Sequence, residues 1–454
     1  MITGPRFVRG CVVHAPSLSN IELCEDAFLS IDPLTGRIAA FHTQITPSDL
    51  HVLSNARSSD VLHLRKGQFI IPGFVDTHVH APQFQFMGTA TDLPLMQWLE
   101  KYTFPVEQAF EDPKVALKWY SALLDTMLSQ GITTAQYFAT IHLQATKILV
   151  DLVESRGQRG LVGLVSMDRN APDTYILSTD QCLADAEDFI QYVLNKALDL
   201  VKPVITPRFV PTCSLQLMDG LGALAKKYNV HVQSHIAESR DEEAFVETLH
   251  PGKRDIELFE KAGLLTPKSC MAHAVHLKEN ELEVLHRTGT AISCCPLSNF
   301  FFANGFLDVR KVLEKSVNVG LGTDIAGGYS PSMLRAIQTC VLSIKALEIQ
   351  DGTSRAPTYP FDFKDAFYLA TMGGAKALNV DKDTGSFAVG KCFDAIFVDV
   401  NCGHNLVKSK RDTSMDVFQK FIHNADNRNF TKVYVKGKVV YEKNEFSNKS
   451  SVSN

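Results

Sequence analysis

Four stretches of this chain end in groups able to ligate a divalent cation, and each stretch is apolar and β-branched. His78 and His80 close QFIIPGFVDTHVH (68–80), His235 lies in VHVQSHI (230–236), His273 in SCMAHAVHL (269–277) and Asp324 in VNVGLGTDIAG (317–327). Alternation along an extended strand puts the His78 and His80 side chains on one face. Imidazoles and a carboxylate suit zinc, and an open coordination position makes such a site hydrolytic. One such histidine alone is better explained as a satisfied core or surface residue; four strand ends meeting in one mouth are not. Glu238 follows His235 by three residues. A carboxylate there can relay protons between activated water and a substrate. It also opens the acidic stretch ESRDEEAF, where negative charge favours a helix N-terminus.

The elements that must position these groups are legible as a pattern. Eight runs, at 68–80, 131–138, 159–168, 202–210, 230–236, 269–277, 290–299 and 317–327, read as strands of a parallel sheet covered on both faces. Between them VALKWYSALLDTMLSQG, ending at Gly131, LADAEDFIQYVLNKAL and SLQLMDGLGALAKKYN have helical apolar spacing. Eight strand–helix alternations predict an α/β fold, a (β/α)8 TIM barrel over residues 68–384, with its site at the C-terminal strand ends. An open doubly wound sheet is the alternative, and no G-x-G-x-x-G supports it. Residues 1–67 and 385–445 hold short strands such as RFVRGCVVHA, DAIFVDV and TKVYVKGKVVYE, expected to pair into a small β-sandwich domain. FKDAFYLATMGGAKALN reads as a helix leading out of the barrel, and 446–454 as a flexible polar tail.

Composition narrows the class. The 454 residues would make about three domains at roughly 150 each, or one large barrel with an addition. With 45% hydrophobic and 21% charged residues, wholesale disorder is excluded. A net charge of −5 leaves no footprint for nucleic acid or an anionic membrane. No apolar run approaches the ~20 residues of a membrane helix, and the start lacks a secretory h-region. The ten cysteines show no C-x-x-C framework, which reads as reduced thiols in the cytoplasm. The sequons at Asn429 and Asn448 are then chance matches.

PGFVDTHVHAPQ, the strand-end histidines and the GTD containing Asp324 resemble the amidohydrolase superfamily. DLPLMQWLEKYTFPVE (92–107), YFATIH (137–142), TPRF (206–209), QSHIAES (233–239) and GLGTDIAGGYSPSML (320–334) are similar to the guanine deaminase family within it. The similarity spans nearly the whole chain.

The resemblance implies one zinc per subunit, bound by His78, His80, His235 and Asp324, with His273 beside the ring under attack. It is read as mononuclear, because the fourth strand's one lysine, Lys202, sits at its start, far from the mouth. A purine would be held by Gln83 and the Arg208–Phe209 pair, with His80, Ala81, Pro82, His235, Glu238 and Asp324 around it. An arginine fork suits a ring carbonyl, an amide both donates and accepts, and an aromatic face stacks. Arg208 could equally be a structural ion-pair partner, and Phe209 core.

The implied reaction is hydrolytic deamination of guanine to xanthine and ammonia. Metal-activated water attacks C2, Glu238 and Asp324 move protons, and His273 steadies the new oxygen. A cytoplasmic homodimer is implied as well. Two positions depart from the family: Cys294, where many relatives carry histidine, and Pro82, which removes a backbone donor. The rival readings are a relative acting on cytosine, adenine derivatives or triazines, and a scaffold without chemistry. Arg208 argues for a substrate carbonyl, which adenine lacks, and a scaffold would be expected to have lost ligands.

Overall fold

In the computed structural model, which describes residues 2–350 and 360–443, the eight apolar runs lie side by side in one parallel sheet. We number its strands β1 (Phe74–His80), β2 (Ile132–Phe138), β3 (Arg159–Ser166), β4 (Val201–Pro207), β5 (His231–Ile236), β6 (Ser269–His273), β7 (Ala291–Cys294) and β8 (Val319–Leu321). Each pairs with its sequence neighbour. Just past β8, Asp324 N donates to His78 O at 2.9 Å and His80 N donates to Ile325 O at 3.0 Å, so the circle closes on β1. The barrel strands are buried almost throughout; Lys202, at the base of β4, is exposed. The open doubly wound sheet is thereby set aside.

The helices begin and end where the sequence places caps. Asp112 accepts from Lys114 N to start Pro113–Ser129, and the chain turns back at Gly131 with φ +77°. A Cβ at Gly131 would lie 2.4 Å from Ile396 Cδ1, so glycine is needed there for close packing as well as for its backbone angle. Ser178 and Ser214 cap Thr179–Asn195 and Leu215–Tyr228, and the latter ends at Asn229 in the left-handed region.

The two ends of the chain share a second, nine-stranded sheet, separate from the barrel sheet. The run 68–80, expected as one strand, divides at Gly73. Gln68–Pro72 pairs antiparallel with Ala395–Asp399 in the second sheet, and only Phe74–His80 enters the barrel. The expected sandwich is one sheet curled on itself. A Cβ on Gly36 would stand 1.9 Å from Lys436 O, and Val12, Leu29, Ile70, Phe393, Ala395 and Tyr434 share the enclosed core. A helix at Ser414–Asn424, not anticipated among those strands, packs Phe421 against Phe69 at 5.3 Å between ring centroids. The polar tail expected at 446–454 lies outside the described residues.

Candidate active site

The C-terminal ends of β1, β4, β5, β6 and β8 open on one cleft, and His80, His235, His273, Asp324 and Glu238 all line it. His80 Nε2 lies 3.0 Å from His235 Nε2. Asp324 Oδ1 is 3.3 Å from His78 Nε2 and 3.6 Å from His80 Nε2. Burial holds the pKa values of His78, His80 and His235 well below the ordinary imidazole range, and the crowding of neighbouring imidazoles adds to it. This favours their neutral form, the form able to ligate a metal. His235 Nδ1–H donates to Arg208 O at 2.6 Å, which leaves the Nε2 lone pair facing the cleft.

His78 Nε2 is buried without a hydrogen-bond partner. Ligand atoms of His78, His80 and His235 lie within 4.8 Å of one another, as do those of His78, His273, Cys295 and Asp324. An orphaned buried nitrogen facing a carboxylate, beside two imidazole nitrogens in contact, is a donor set that a divalent cation satisfies. Beneath the cluster Asp76 accepts from Thr323 N at 3.0 Å, Thr323 Oγ1 at 2.5 Å and His78 N at 3.2 Å, tying β1 to the end of β8. Burial pushes its carboxyl up to about 7.

Four non-glycine residues at this mouth have left-handed backbone: Ala237 (φ 45°), His273 (φ 73°), Ala274 (φ 55°) and Asp324 (φ 49°). Such angles cost energy and concentrate at functional sites. His273 is fixed by Nδ1–H donation to Asn299 Oδ1 at 3.1 Å, so its Nε2 faces Glu238 Oε1 at 3.6 Å and Asp324 Oδ2 at 3.8 Å. Glu238 precedes the N-cap, Ser239, and Asp241, Glu242 and Glu243 occupy the first helical turn. It faces the cleft rather than serving the helix. Burial and then the charge of Asp324 raise its pKa well above the usual carboxylate range, which favours its neutral form.

Gln83, Arg208 and Phe209 line the same cleft, with Trp98 and Phe302 among its other lining residues. Phe209 is buried against the cleft. Arg208 is both cleft wall and ion-pair partner: Nη1 and Nη2 donate to Glu107 at 2.5 and 3.2 Å. Ala81 and Pro82 do not line the cleft. They are buried in the turn Ala81–Phe86, where the start of the helical turn needs no proline N–H. Cys294 turns from the cleft into the hydrophobic core beside Cys340, while Cys295 is the one near Asp324. The departure at Cys294 therefore falls on packing.

Glu107, Asp76, Cys295 and Asn299 were not singled out from the sequence. Glu107 had a signal, as the single acid closing the apolar TFPVE.

The model of the amidohydrolase family matches residues 69–440. A guanine deaminase of Dictyostelium discoideum is 40% identical over 444 residues, covering 95% of this chain and 97% of that one. A guanine deaminase of Homo sapiens is 40% identical over 441 residues, covering 95% and 96%. Among solved structures, guanine deaminase from C. acetobutylicum with guanine bound in its active site is similar with a TM-score of 0.88 at 32% identity, over 96% of this chain and all of that one. With the barrel, the strand-end histidines and aspartate and these likenesses together, the chain belongs to the amidohydrolase family and, within it, to the guanine deaminases.

Proposed function

We propose that the protein hydrolyses guanine to xanthine and ammonia in this cleft with one zinc ion per subunit. The observation that carries this reading is one cleft lined together by His80, His235, His273, Asp324 and Glu238 and by Gln83, Arg208 and Phe209. Its further support is the guanine-bound relative of the same fold. His78, His80, His235 and Asp324 would hold the metal, which when bound lowers the pKa of a coordinated water towards ~7.

The chain's own residues do the rest. Arg208 donates to the ring carbonyl, Gln83 meets the adjoining ring edge, and Phe209 stacks. Glu238 gives its proton to the ring nitrogen beside C2, which makes C2 electrophilic. As the water oxygen bonds to C2, Asp324 takes its proton, and His273 steadies the oxygen. Asp324 passes its proton to the exocyclic nitrogen, the C2–N bond breaks and ammonia leaves with the bonding pair. The Glu238 carboxylate takes the remaining hydroxyl proton, so that the C2 carbonyl forms and both carboxyl groups are restored. Water is consumed and no redox partner is needed.

Glu238→Gln keeps the shape and removes the transferable proton. It should retain its metal and lose about 10²–10⁴-fold in turnover; undiminished turnover would contradict the role. A cytoplasmic homodimer is part of the same reading, supported by ten free cysteines and the family resemblance. Sedimentation at working concentration tests the dimer, and a monomer there would remove it.

A further inference from the structure

Glu107, on the short helix Phe104–Gln108, is fully buried and lies behind the wall that Arg208 and Gln83 form. Its carboxylate accepts four hydrogen bonds: two from Arg208, one from Gln83 Nε2 at 2.8 Å and one from the Tyr175 hydroxyl at 2.9 Å. Gln83 is thereby oriented at both ends, because its Oε1 accepts from Ala326 N at 3.2 Å. One N–H and one lone pair of that amide remain for a ligand, and the guanidinium retains its N–H bonds not spent on Glu107. The Phe104 ring lies 5.2 Å from the guanidinium carbon and blocks another orientation. Away from water, the charges of Arg208 and Glu107 interact strongly and cancel at a distance.

We propose that Glu107 is a positioning residue that also sets the charge of the ring-binding wall, so that the cleft takes a neutral, carbonyl-bearing ring and does not retain an anionic one. The inference rests on the proposed guanine reaction. There the exocyclic amine gives way to a second carbonyl, which makes the product's ring N–H more acidic than the substrate's. An uncompensated Arg208 would grip that anion. The other titratable groups facing the pair are Tyr120, Tyr175 and His142 behind Glu107, and His80, His235 and Glu238 around Arg208. None of them replaces the carboxylate's contacts to both nitrogens of the fork.

The test compares parent, Glu107→Gln and Glu107→Asp as metal-loaded proteins. Xanthine binding is measured by calorimetry on both sides of xanthine's own ionisation, and guanine kinetics in parallel. In E107Q the KM for guanine should rise about tenfold or more, with a smaller fall in kcat. Its affinity for xanthine should increase about tenfold relative to the parent once xanthine is anionic. E107D keeps the charge and retracts the contacts, so it should raise KM while keeping the parent's pH dependence for xanthine. Should E107Q fail to fold, that result in E107D alone bears on the proposal. A parental KM in E107Q, an unchanged pH dependence of xanthine binding in E107Q, or an anion preference in E107D would overturn it. Failure of the parent to turn over guanine while still binding neutral xanthine more tightly than its anion would strike the reaction and spare the role of Glu107. Turnover of guanine by a parent that binds neutral xanthine no better than its anion would overturn the role of Glu107 and spare the reaction.

Discussion

At the scale of single residues, function turns on how burial sets protonation. The same desolvation that lowers the pKa values of His78, His80 and His235 raises that of Glu238, so one physical cause favours the neutral form of each. Glu238→Gln changes a proton and little else, so the expected loss of about 10²–10⁴-fold in turnover reads that proton alone. The strand-end residues were legible because alternation and barrel geometry place them without any knowledge of side-chain contacts. Glu107 was not, because its role exists only once the chain brings it to Arg208, 101 positions away. Arg208 presented two readings, ion pair or cleft wall, and the structure joins them.

Elements were read from the sequence where pattern and caps agree, as in Leu215–Tyr228, which starts at Ser214 and ends at Asn229. The reading failed inside 68–80, where one unbroken apolar run feeds two sheets. Gly73 was the mark of the break: a Cβ there would stand 2.1 Å from Thr133 Oγ1, and an isolated glycine within a strand pattern signals a close approach. Close approach also dictates a stability prediction. A Cβ on Gly222 would lie 1.8 Å from the backbone oxygen of Ala262, which cannot rotate away as a side chain would. Gly222→Ala should therefore cost about 1–3 kcal/mol in denaturant unfolding, and parental stability would contradict this packing account.

Across the whole molecule, the barrel carries the chemistry and the sheet from the chain ends braces its base. Arg159, at the start of β3, donates to Asp394 at 3.1 Å, and Asp394 Oδ1 accepts from Lys436 N at 2.8 Å, so one buried carboxylate links the two parts. Asp394→Ala leaves a buried guanidinium without its partner and should destabilise by about 3–5 kcal/mol; a loss below 1 kcal/mol would show the link to be dispensable. That the two chain ends meet was legible from their strand content. That they form one curled sheet was not, because the contact between Gly36 and Lys436 depends on tertiary curvature. The central claim concerns the mouth of the barrel, and one assay reaches it most directly: metal-analysed protein with one zinc per chain, mixed with guanine, with xanthine and ammonia followed together and adenine as control. The account predicts equimolar xanthine and ammonia from guanine and neither reaction nor ammonia from adenine. No ammonia from guanine in the fully loaded enzyme, or equal turnover of adenine, would contradict it.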